Sequence, residues 1–207
     1  MAVSEQIVRE YFESLGFLVR QPTKYRVQAR HKEAVEQIDL VVWNPSPARR
    51  SRAGRILWDS SDVRAVTRGI VSVHGWHSER ITPAVLKFSP ELAEVGEREV
   101  VRAAGRLVGK GAVSRIVCLS DLPASAQLSK KTLHMLREKG VDGVILFRTM
   151  LLELVGYVER DRIYDHSELL QLLRILKRYD LFREPQMDLF PVRRGRTSRC
   201  RRHEPGK

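Results

Sequence analysis

The chain has little cysteine, few aromatics and no long apolar run. Cys118 and Cys200 are the only cysteines in 207 residues, which excludes a disulfide scaffold and makes a reducing cytoplasm the expected compartment. No apolar stretch approaches the roughly 20 residues that span a bilayer, so no membrane partner is expected. The opening residues, MAVSEQIVREYFESLG, lack the basic, apolar and small-residue regions of a secretory signal, and Glu5, Glu10 and Glu13 make them too acidic for a transit peptide. Also missing are G-x-S-x-G, a P-loop, G-x-G-x-x-G and any Cys/His nucleophile pattern around Cys118. Cys118 lies in an apolar run and reads as a small core residue. With 43% hydrophobic and 30% charged residues, the chain can bury one real core and is not disordered throughout.

What is present is positive charge, unevenly placed. The formal net charge is +12. The stretch 191–207 holds Arg193, Arg194, Arg196, Arg199, Arg201, Arg202 and Lys207 against Glu204 alone, a contribution of +6. The segment 49–55 adds +4 through Arg49, Arg50, Arg52 and Arg55. The rest of the chain is close to neutral. Guanidinium forks pair with phosphate oxygens and release counterions, so both segments read as nucleic-acid contacts. DNA is expected ahead of RNA. Neither segment carries a sequence code of its own.

Hydrophobic spacing gives the order of elements. Ile7, Val8, Tyr11, Phe12 and Leu15 mark a helix over 3–16, closed by Gly16. Residues 17–21 read as a short strand that Pro22 breaks, and 37–43 (QIDLVVW) as a buried strand. A strand over 69–76, a helix over 97–108, a strand over 115–119, a helix over 129–139 and a strand over 141–147 follow. This alternation predicts an α/β fold: a mixed central sheet flanked by helices. Helices over 149–158 and 166–178 then form a C-terminal helical appendage. The predicted organisation is a core over 1–148, the helical appendage over 149–190, and a basic tail over 191–207, expected to be disordered.

The first half resembles the PD-(D/E)XK, or restriction-endonuclease-like, superfamily across residues 3–122. The resemblance rests on a leading helix with Glu5, a short strand, a strand with one Asp among apolars (QIDLVV, Asp39), a second apolar strand (GIVSVHGW), a helix (REVVRAAGRL) and a further strand (RIVCL). It implies a restriction-endonuclease-like core. In that family an Asp and a second carboxylate two residues before a Lys hold a divalent metal that activates water against a phosphodiester. Asp39 takes the first position, and the acid-x-Lys half falls on Ser72-Val73-His74. Ser72 and His74 depart from the pattern: a hydroxyl replaces a hard anionic ligand, and an imidazole replaces a permanent cation.

The resemblance therefore implies a nucleic-acid-binding protein with an endonuclease-like core and a degenerate or rewired metal site. If active, it hydrolyses phosphodiesters with Mg²⁺ or Mn²⁺ on Asp39 and Glu5, with His74 in the Lys role and Ser72 in the second-acid position. Glu97 or Glu99 is another source of the missing carboxylate, and His74 with His77 another ligand set beside Asp39. Without activity no cofactor is expected. Trp76 reads as core, and the Cys200/His203 pair in the tail as incidental spacing. The competing reading is a non-catalytic interaction subunit, pairing with itself or another protein through the leucine-rich helix 166–178. For Asp39 itself, the bland alternative is a local hydrogen bond within the sheet.

Overall fold

The computed structural model describes residues 3–22, 38–49, 54–75, 80–109 and 111–182. The basic tail, Arg50, Arg52, Trp76 and His77 lie outside the described residues.

Helix α1 (Val3–Ser14) buries Ile7, Val8, Tyr11 and Phe12, the residues its apolar spacing selects. Gly16, at φ 88°, turns the chain out of the helix. Strands β1 (Leu18–Arg20), β2 (Leu40–Trp43) and β3 (Arg68–His74) form an antiparallel meander. Strand β4 (Ser114–Leu119) then pairs parallel with β3, and β5 (Gly143–Leu146) parallel with β4. The result is a mixed five-stranded sheet in the order β1-β2-β3-β4-β5.

Parallel pairs need crossovers, and these cover one face. The β3–β4 connection contains α3 (Pro83–Phe88), a 3₁₀ helix (Pro90–Gly96) and α4 (Arg98–Val108), and α5 (Ala126–Glu138) joins β4 to β5. Leu86, Leu92, Val100, Ala104 and Leu136 pack there with Val41, Ile70, Val117 and Val144 of the strands. The other face carries α1 with α6 (Phe147–Tyr157) and α7 (Glu168–Arg178). Met150, Leu154, Leu170 and Leu173 share one buried cluster with Phe12, Val71 and Cys118, so the C-terminal helices form a layer of the core. Ser167 fixes their junction. Its hydroxyl caps α7 by accepting the Leu170 N–H and donates to Glu10 of α1 at 2.6 Å. Burial raises the Glu10 carboxyl above its ordinary range, and the Ser167 bond partly offsets this.

The expected order of main elements is present. Sequence periodicity does not signal α3, the 3₁₀ helix or the four-residue α2 (Ser60–Val63). Each is short and is set by caps and prolines. Helix α2 starts in a capping box between Asp59 and Asp62. Asp62 is buried completely and meets Arg55 Nη2 through both carboxylate oxygens at 2.9 Å. That pair fixes the segment before α2, where the Trp58 N–H donates to the Val144 carbonyl at 2.9 Å and the Val144 N–H donates to the Ile56 carbonyl at 2.7 Å, bridging the free side of β5.

The Trp58 indole lies directly on Gly143, and a Cβ built at 143 would come within 2.3 Å of its ring atoms. Gly143→Ala should therefore force the indole or the strand to move and cost about 1–3 kcal/mol. Thermal melting should show a drop of several degrees. Gly156→Ala in α6, where the added methyl meets open space, should leave the melt unchanged or raise it.

Candidate functional site

Because β2 and β3 run antiparallel, the start of β2 and the end of β3 meet at one end of the sheet. Leu40 pairs with Val71, which places Asp39 beside Ser72. The chain bends at Asp39. Its N–H donates to the Val71 carbonyl at 3.1 Å, and its Oδ2 accepts the Val73 N–H at 2.7 Å. An apolar strand thus tolerates the lone carboxylate because it serves the backbone donor between Ser72 and His74. Its charge also reaches Cys118, which is fully buried, and together with burial pushes that thiol far up.

Ser72 and His74 alternate onto the face that carries Ile70, the side of α4. Their side chains bond to each other, Ser72 Oγ to His74 Nε2 at 2.8 Å. Burial lowers the His74 pKa to about 4, and the Glu91 carboxylate in the 3₁₀ helix opposes this only in part. At neutral pH His74 is an uncharged imidazole. It can donate or accept a hydrogen bond but cannot supply the fixed positive charge of a lysine. Its low pKa also makes it a poor general base.

The structure thus brings Asp39, Ser72 and His74 together. Glu5 stands on α1, and its Oε2 faces Gln21 Nε2 at 3.5 Å. Glu97 and Glu99 are exposed at the start of α4. The acid that acts on His74 is Glu91, which sequence reasoning missed. It sits one residue after Pro90 in a 3₁₀ turn, where no periodic pattern marks which side faces the sheet.

The donors do not fit a hard divalent cation. Mg²⁺ requires several oxygens with strong anionic character. At this end of the sheet one carboxylate already serves a backbone N–H, and the serine hydroxyl beside it is engaged with an imidazole. No three His, Cys, Asp or Glu side chains among the described residues are grouped so as to hold a metal ion.

Of the arginines expected at phosphate, Arg49 is exposed. Arg55 is committed to Asp62, with Asp59 at 3.6 Å, so its first role is in the fold. No helix among the described residues is long and apolar enough to cross a membrane. Comparison with protein-family models, with the curated proteins and with the solved structures gives no significant match. Function is therefore read from this chain's own residues.

The buried imidazole predicts a pH effect. An unfolded histidine titrates near 6.5, the folded His74 near 4. Between these values the unfolded chain holds a proton that the folded chain does not, so protons favour unfolding. The stability contribution is complete above about pH 6.5 and is lost as the pH falls toward about 4. At about pH 5 the loss should be about 2 kcal/mol. Melting curves at neutral and acid pH should show it, and His74→Gln should flatten the difference. An equal acid shift in that variant would assign the effect to other groups.

Proposed function

We propose that this protein binds polynucleotides through a restriction-endonuclease-like core whose metal site is degenerate. One observation carries the reading: a helix, an antiparallel three-strand meander, a crossover helix and a parallel fourth strand converge so that Asp39 grips the N–H between Ser72 and His74. The order of elements supports the resemblance, with a hydroxyl and an imidazole where a second acid and a lysine are expected, while the Asp39 bond itself is the local hydrogen bond within the sheet. Asp39 acts in this chain as the clamp of β3 against β2. Charge for binding comes from the arginines, those of the 49–55 segment and of the 191–207 tail included.

A second reading, a protein-interaction subunit, is favoured by α7. Its inner residues Leu170 and Leu173 are buried, while Leu172, Ile175 and the following Tyr179 stand exposed at helical spacing. Such a stripe suits a partner helix or a second copy of the chain.

Two experiments test the first reading. Ser72→Glu with His74→Lys restores the acid-x-Lys pair beside Asp39. Ser72 is buried, so folding has to be established first by melting. In a degenerate site Mg²⁺ should raise the melting temperature of the double variant more than that of the wild type, because the ion binds only the folded form. Plasmid nicking should be negligible for the wild type and measurable for the variant. Brisk wild-type cleavage that Asp39→Ala abolishes would show a rewired, active site. If the folded variant gains neither metal stabilisation nor nicking, these positions are not a former metal site. Separately, changing the six tail arginines (Arg193, Arg194, Arg196, Arg199, Arg201 and Arg202) to Gln should weaken polynucleotide binding without changing the melt. The salt slope on duplex DNA should fall by about 0.9 for each phosphate that the tail no longer neutralises.

A further inference from the structure

The sheet face that carries Ser72 and His74 continues past α4 to β1, where the described residues line a groove. The register sets Leu18 beside Trp43 and Trp43 beside Arg68, while Arg20 stands beside Val41. These side chains form the floor of a groove of about 380 Å³, and Leu107 at the end of α4 forms its wall. Leu18 is 59% and Trp43 46% exposed, an unusual amount of apolar surface for a strand pair. Among the described residues no carboxylate lines the groove. Arg20 and Arg68 line it. Arg20 forms no ion pair with a described residue.

We infer that this groove holds a single-stranded stretch of polynucleotide, with a base stacked on the Trp43 indole and phosphates on Arg20 and Arg68. The inference rests on the polynucleotide-binding reading and names the form of nucleic acid and the surface. An indole offers its flat face to any base, and the arginines beside it match a phosphate backbone whatever the sequence. A duplex keeps its bases stacked inside and leaves the indole unused. A lipid headgroup layer meets convex surfaces rather than the floor of a groove.

The test is fluorescence anisotropy with the full chain, using a fluorescein-labelled oligothymidylate of about 16 nucleotides and a duplex of equal length, each over a salt series. The wild type should favour the single strand. Trp43→Ala should weaken its binding by about ten- to a hundredfold, and Trp43→Phe should keep most of it. Arg20→Ala and Arg68→Ala should each lower the single-strand salt slope by about 0.7. Melting curves confirm that each variant folds, and the two arginine variants keep the test valid if Trp43→Ala does not. If the wild type binds the oligonucleotide but the folded variants bind equally well with equal slopes, the groove assignment fails while the polynucleotide-binding reading stands. A preference for the duplex also overturns the groove. If the wild type binds neither probe at low salt, both readings fall.

Discussion

Everything in this molecule hangs on β3 being buried on both faces while changing its kind of partner. On one side it meets β2 in an antiparallel pairing, on the other β4 in a parallel one. The parallel side needs crossovers, which put α4 and α5 on one face. The opposite face must then be closed by helices from the two ends of the described chain: α1 before the sheet, α6 and α7 after it. Helix α1 and the C-terminal pair are far apart in sequence, and the shared face brings them together. The Ser167–Glu10 bond is where that closure is tied with polar groups. A chain ending before α6 would leave an apolar sheet face half uncovered.

The same two-sided burial governs the chemistry at the end of β3. Charged side chains are costly there, and the structure meets that cost in two ways. Asp39 accepts a backbone N–H, and His74 stays neutral and bonds a hydroxyl. A catalytic centre needs a carboxylate with oxygen to spare and a cation that survives burial. Asp39 and His74 supply neither. Exposed chemistry lies elsewhere, on the arginines and on the uncovered rim of β1 and β2.

Much of the fold is legible in the sequence because apolar spacing is a direct record of burial. The spacing of Ile7, Val8, Tyr11 and Phe12 reports which side of α1 meets the sheet, and the near-continuous apolar runs of β4 and β5 report two covered faces. Asp39 stands out because it interrupts such a run. Other features leave no such record. The 3₁₀ helix carrying Glu91 is too short for periodicity, and only its tertiary packing turns that acid toward His74. In sequence, Arg55 is one more residue of a basic segment. Its role depends on Asp62 seven residues later, whose burial no local pattern announces. Trp43 looks in sequence like the end of a buried strand. Its 46% exposure depends on how distant elements pack around it, which no local pattern announces.

The packing of Trp58 on Gly143 constrains how this chain can diverge. The two positions share one volume: the indole takes all of it, and nothing beyond a hydrogen atom remains at 143. With tryptophan at 58, any side chain at 143 costs stability, and that cost falls where 58 is smaller. Size at the two sites is therefore exchanged across 85 positions of sequence. Such a reciprocal pair offers a fingerprint for distant relatives that composition and overall similarity would miss.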